Sequence, residues 1–148
     1  MKVAAAASPA SYTPHPMSER VTYVAPSTTA PTLPNGTIAA ESLRGEGDAP
    51  GAVAYVHYNG PTDQLATMCT GMCVLEPGAS PHPPHTHPEE EHMIVASGTG
   101  VIEVDGVRTP VGPGAIMYTA ANVSHGITNT GDTPMTFYWS KWLAKGAE

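Results

Sequence analysis

The sequence predicts an all-β domain of the sandwich or barrel type, and two observations carry that prediction. From residue 52 onward, short runs rich in β-branched and aromatic residues recur between Gly, Pro, Asn and Asp, which is the pattern of many short strands. Before Gly51, seven of the sixteen prolines fall among many Ala, Ser and Thr residues, and that density prevents long helices. We therefore expect an extended arm over residues 1–45 and a single β domain over residues 46–148.

The expected elements follow from these signals in chain order. Within the arm, Val21–Val24 is a candidate short strand. In the domain the expected strands are Ala52–Tyr58, Leu65–Leu75, His85–His87, His92–Ala96, Val101–Val104, Val107–Thr109, Ala115–Tyr118, His125–Thr128 and Met135–Ser140. The dipeptide Asp105-Gly106 is a strong hairpin signal, because these residue types tolerate the positive φ of a primed turn. The last residues, 141–148, are expected to form one turn of helix.

Strand geometry also predicts where some side chains point. On the last expected strand, Met135, Phe137 and Trp139 share one face, which we expect to line the barrel because its side chains are large. Cys69 and Cys73 lie four residues apart, a span of roughly 13 Å on a strand, whereas a disulfide tolerates a Cα separation of about 7 Å. Two buried thiols are therefore expected.

The most informative motif is a cluster of histidines, with His82, His85, His87 and His92 inside eleven residues. Residues two apart on a strand point to the same face with Cα atoms roughly 6.6 Å apart, so His85 and His87 can share one ion at bonds of roughly 2.0–2.1 Å. Glu91 follows after an even step, which returns a carboxylate to that face if the strand continues, while His92 points the other way. Alone, this pattern is weak, because histidines and glutamates also crowd together in solvated loops.

A second, glycine-rich segment, residues 112–129, strengthens the interpretation of the histidines as a metal site. Taken together, the two segments resemble the paired motifs of the cupin superfamily; the matching residues are Gly78, His85, His87, Glu91 and Gly98 in the first motif, and Gly114, His125 and Asn129 in the second. Six residues rather than five separate Gly78 from His85, and Ala120 and Asn122 replace the usual proline and glycine before the second-motif histidine. These departures affect loop shape rather than ligand identity. The resemblance implies a double-stranded β-helix, the cupin jelly roll, preceded by an extended N-terminal arm that packs on or across a dimer partner.

The resemblance also implies a metal site, in which His85, His87, Glu91 and His125 hold one divalent transition metal per chain. Three neutral imidazoles and one carboxylate leave such an ion with a net charge near +1. A six-coordinate ion would keep two adjacent positions for water, oxygen or a chelating substrate. This donor set suits Fe, Mn, Ni, Co or Zn, and affinity order alone does not choose among them.

Several functions fit such a site. We expect an enzyme acting on a small polar or enolisable substrate, with a dioxygenase ahead of a non-redox isomerase or lyase that uses the ion as a Lewis acid. A metal-dependent binding module without turnover is the alternative from another class. The candidate catalytic residues are His82, expected in a loop at the barrel mouth, and Tyr118, expected as a hydroxyl in the pocket. Glu89 and Glu90 are expected to be solvated neighbours of the ligand acid.

Composition limits the partners and the location. A net charge of −7, with six basic residues in no run, argues against a nucleic-acid partner, since phosphate contacts need clustered Lys and Arg. No apolar run approaches the roughly 20 residues of a membrane span. The resemblance, together with the open strand edges of a small jelly roll, implies a homodimer, and we expect it to bind a small-molecule substrate. The apolar part of the first ten residues is shorter than the 7–15 residues of a signal peptide, so a cytoplasmic location is expected, with a secreted or periplasmic protein whose signal has been removed as the alternative.

Overall fold

The computed structural model describes residues 32–146, which form two antiparallel β-sheets. The strands are β1 (Ala52–Gly60), β2 (Leu65–Leu75), β3 (Glu90–Ser97), β4 (Gly100–Val104), β5 (Val107–Val111), β6 (Ile116–Thr119), β7 (His125–Asn129) and β8 (Met135–Ala144). One sheet has the order β1-β2-β8-β3-β6 and the other the order β5-β4-β7. This is the all-β jelly roll that the sequence predicts. The expected strand Val21–Val24 lies outside the described residues.

The core lies between the two sheets. Leu75 and Met135 contribute from the five-stranded sheet, where both are fully buried. Ile102 and Ile127 contribute from the three-stranded sheet, at 4% and 1% exposed. Together with Phe137 they form one hydrophobic cluster, which confirms that the Met135 face of β8 points inward. Burial of this kind stabilises by roughly 1.5–3 kcal/mol per large apolar side chain.

The hairpin and most strands appear where the sequence places them. Asp105 and Gly106 have φ values of 49° and 77°, and they join Val104 to its partner Val107. Positive φ at both central residues is the requirement of a primed turn, so the hairpin prediction is confirmed.

Two expected elements are wrong. Only His85 of the expected strand His85–His87 is in a ladder, as a single bridge to His125, because Pro83, Pro84 and Pro88 around it lack the N–H that a ladder needs. The chain after residue 140 is strand rather than helix as far as Ala144, since Trp142 pairs with β2 on one side and β3 on the other. Pairing on both sides outweighs the local tendency of a short terminal segment.

The two cysteines are free thiols, as expected. Cys73 is buried, as expected, whereas Cys69 is partly exposed rather than buried. Within residues 32–146, no helix has the length and apolar character that a membrane crossing requires.

Candidate metal centre

Three histidines converge where the two sheets face each other. The backbones of His85 and His125 exchange two hydrogen bonds of 3.0 Å, which fixes the two side chains next to one another. His87 follows two residues later, and the three ring centroids lie 4.9–5.2 Å apart. One nitrogen of each ring lies within 4.8 Å of the others. The three histidines are therefore positioned to bind one metal ion.

Hydrogen bonds to the outer ring nitrogens fix which nitrogen faces inward. His87 Nδ1 lies 3.0 Å from the carbonyl oxygen of Glu89, and His125 Nδ1 lies 2.8 Å from that of Val123. A carbonyl oxygen only accepts, so each Nδ1 carries the proton and each Nε2 presents a lone pair to the centre. Orientation of ligand imidazoles by such outer partners is usual in metal sites.

Glu91 meets these lone pairs from the opposite sheet. Its Oε2 lies 2.7 Å from His87 Nε2 and 3.2 Å from His125 Nε2, and the residue is only 5% exposed. The expected route for Glu91, a strand continuing from His87, is wrong, because His87 lies outside any strand and β3 of the five-stranded sheet starts only at Glu90. Two imidazole lone pairs facing one carboxylate oxygen repel unless a proton or a metal cation lies among them. The donor set thus fits a divalent transition metal on its own chemistry.

His85 is available as the third imidazole. Burial, followed by the neighbouring imidazoles, lowers the pKa of His85 to about 4, so the ring stays neutral near pH 7. Its Nδ1 is buried and has no hydrogen-bond partner among the described residues. His82 packs its ring edge-on against His85 at a centroid distance of 4.0 Å.

A cavity of about 310 Å³ opens beside this cluster. His85 and Glu91 lie in its wall, and so does the exposed His82. The cavity volume is near the lower end of the roughly 300–1,000 Å³ typical of ligand pockets. The remaining wall is mainly apolar, formed by Ala52, Ala54, Met93, Phe137 and Trp139. Its other side chains are the two thiols and three charged groups, Cys69, Cys73, Lys141, Glu46 and Asp48. A small ligand would thus meet the centre and an apolar surface together.

Tyr118 lies elsewhere than expected. It is 53% exposed, and its hydroxyl donates to Glu90 Oε1 at 2.8 Å on the outer face of the sheet. The hydrogen bond to that carboxylate raises the pKa of Tyr118. The expected pocket position is wrong because Tyr118 pairs with His92, and the residues flanking Glu91 on β3 point away from the cavity.

Glu89 and Glu90 are bound to protein groups rather than solvated, contrary to expectation. Glu89 Oε2 lies 3.4 Å from His87 Nδ1, so this side chain adds to the support of that imidazole. Glu90 accepts from Tyr118 and also from Trp142 Nε1 at 3.0 Å. The two residues directly before Glu91 are therefore anchored to His87, Tyr118 and Trp142.

Sequence reasoning missed Lys141 as a cavity residue. The reason is the expected end of the last strand at Ser140, since the alternation Phe137, Trp139, Lys141 continues on the inner face. Extending that alternation by one step would have found it.

Comparisons with known proteins agree with the fold. Residues 71–141 match the family model described as "Cupin domain". No curated protein matches the sequence. Among solved structures, an RmlC-like cupin from Shewanella frigidimarina is 18% identical with a TM-score of 0.62, over 76% of this chain and 95% of that chain.

Two further solved structures have names that refer to different reactions. One, described as a predicted oxalate decarboxylase from Thermotoga maritima, is 22% identical with a TM-score of 0.60, over 73% of this chain and 99% of that chain. The other, a sugar phosphate isomerase from Silicibacter pomeroyi, is 21% identical with a TM-score of 0.61, over 72% of this chain and 75% of that chain. At these identities the likeness shows the fold alone.

Proposed function

Since the chain belongs to the cupin superfamily, we propose that it is a mononuclear metal-dependent enzyme, a dioxygenase, acting on a small substrate in the cavity. The observation that carries the proposal is the convergence of His85, His87 and His125 with Glu91 beside that cavity. Fold alone does not choose a reaction, so the support comes from the donors and the cavity walls.

The proposed ligands are the three imidazoles through Nε2 of His87 and His125 and one ring nitrogen of His85, with the carboxylate of Glu91 as the fourth. A bound Fe(II) would supply an open position and a change of oxidation state for oxygen chemistry, whereas Zn(II) would supply Lewis acidity without redox change. The chain's own contribution is to fix the imidazoles through the carbonyls of Glu89 and Val123 and to exclude water with Met93 and Phe137.

His82 favours a second candidate, a non-redox isomerase or lyase. Its imidazole lies in the cavity wall against His85, within the region where a bound substrate would sit. Histidine exchanges protons near neutral pH, which is the task that isomerases and lyases require of a side chain.

An oxygen-uptake screen tests the proposal. Fe(II)-loaded and Zn(II)-loaded protein are mixed with small enols, diketones and 2-oxo acids in an oxygen electrode, and product formation is followed in parallel without air. We expect oxygen uptake only with the Fe(II) form, and none with the Fe(II)-treated variant His87→Ala.

Other outcomes of the same screen assign the alternatives. Equal turnover with and without air, lost in His82→Gln, would replace the dioxygenase by the non-redox enzyme. Tight metal-dependent binding of a compound without turnover would identify a binding module.

A further inference from the structure

Lys141 projects into the cavity next to the proposed acidic ligand. On β8 it pairs with Glu91 of β3 on one side and with Cys69 of β2 on the other. Side chains of directly opposed residues lie on the same face with Cβ atoms roughly 4.5–5.5 Å apart. The Lys141 ammonium therefore lies within reach of anything that binds beside Glu91.

The charge of Lys141 has no protein partner among residues 32–146. No carboxylate there lies within 4.0 Å of its ammonium and no hydrogen bond from it is formed, whereas Arg108 pairs with Glu103 and Lys145 donates to the Asp63 carbonyl. Glu91 Oε2 is already against His87 and His125. Lys141 is partly buried and lines the cavity, so its unpaired ammonium is a charge that an anion bound there can neutralise.

Trp139, two residues before Lys141, forms a flat apolar wall on the same face. It pairs with Gly71 of β2, where a Cβ atom would collide with the indole ring, so the glycine makes the space in which the indole lies against the strand. Met93 pairs with Trp139 on the other side. The cavity thus combines one cation with an aromatic surface.

The acids at the cavity limit the ligand's charge. Glu46 and Asp48 belong to the segment before β1, are exposed, and lie in the cavity wall. They repel a second negative group on any ligand whose first anionic group lies at Lys141. The arrangement therefore favours a ligand that carries a single negative charge.

We propose that the cavity takes a small monocarboxylate with a flat apolar body, whose carboxylate binds the Lys141 ammonium and whose body lies on the Trp139 indole. The proposal rests on the function proposed above and names the substrate class of that site.

Isothermal titration with three probes tests it. Benzoylformate has the carboxylate and the ring, its methyl ester has the ring without the charge, and pyruvate has the carboxylate without the ring. Each probe is titrated into the full chain as purified, with metal content measured on the same samples. The variants are Lys141→Met, Lys141→Arg and Trp139→Leu, and Arg108→Met is the matched control that removes one positive charge outside the cavity.

Lys141→Met should weaken benzoylformate and pyruvate binding by about 10- to 100-fold, the usual effect of losing a charged hydrogen bond. Binding of the methyl ester should change by less than about twofold, and Lys141→Arg and Arg108→Met should stay near wild type. Trp139→Leu should weaken benzoylformate by about three- to tenfold and leave pyruvate unchanged, since only the ring loses its partner.

Wild-type affinity for benzoylformate in Lys141→Met, or preference of the wild type for the methyl ester, would overturn the proposal. The proposed function can fail separately, because a wild type without metal that still binds benzoylformate through Lys141 would contradict the metal enzyme and support the anion site. Conversely, full metal content in Lys141→Met with unchanged carboxylate binding would remove the anion site and leave the metal site standing.

Discussion

Replacing Asn129 with alanine should destabilise the fold without removing any proposed metal ligand. Asn129 is fully buried, and its Nδ2 donates to the Leu75 carbonyl at 2.9 Å and the Thr133 carbonyl at 2.8 Å. Its Oδ1 accepts from Gly131 N at 2.9 Å. The side chain therefore joins the end of β7, which begins with His125, to the end of β2 and to the following loop.

The magnitude follows from those three contacts. At roughly 0.5–1.5 kcal/mol for each hydrogen bond, their loss amounts to about 1.5–4.5 kcal/mol. Asn35→Ala is the matched control, because Asn35 is exposed and a surface substitution changes stability by less than about 0.5 kcal/mol.

Guanidinium unfolding followed by circular dichroism, at one fixed protein concentration, measures both variants. Folded Asn129→Ala should keep its metal, since the three lost contacts do not involve the histidines. A loss of stability no larger than that of Asn35→Ala would refute the reasoning.

Burial raises the pKa of Cys73 to about 11, so at pH 8 only about one thiol in a thousand is thiolate. Iodoacetamide labelling of Cys73 in the folded protein, read by mass spectrometry, should therefore be very slow and should become faster as the pH rises. Rapid labelling at pH 8 would contradict this prediction. Tyr118→Phe loses its bond to Glu90 on the outer face, so metal content and any turnover should stay within about twofold of wild type, whereas a tenfold loss would return Tyr118 to the site. The outer face of the same sheet carries a row of paired, exposed apolar side chains, Tyr138, Ile94 and Ile116, at 44%, 42% and 68% exposed, and we expect a homodimer that covers them. Light scattering should give a mass of about twice the 15.3 kDa of one chain, and Ile94→Glu should lower the mass to that of one chain. A monomeric wild type would contradict the expectation.

The strands were predictable where local pattern and tertiary pairing agree. Val104-Asp105-Gly106-Val107 carries its own turn geometry, and the alternation from Met135 to Trp139 shows one inward face. The alternation continues one step further to Lys141 but does not show where the strand ends, and pairing with β2 and β3 carries β8 to Ala144. That extension decided whether Lys141 could be recognised.

The grouping of His85, His87 and His125 was implied by the resemblance and not by spacing alone, because the strand expected for His85–His87 does not form. Glu91 lies beside them, but by a different route from the one expected. An even step along one strand was expected, whereas the carboxylate comes from the facing sheet. The expected pocket position of Tyr118 was wrong for a related reason, because the face on which its side chain lies depends on its register with His92. Register between strands is set by the whole sheet, and a single sequence does not contain it explicitly.

The metal content of protein purified without added metal tests the central claim most directly. Elemental analysis of the wild type should give close to one transition-metal ion per chain, and His87→Ala should lose most of it. His92→Ala, which removes an imidazole that contacts Tyr118 and Trp142 instead, is the matched control and should keep the wild-type content. Wild-type metal content in both His87→Ala and His125→Ala would contradict the account.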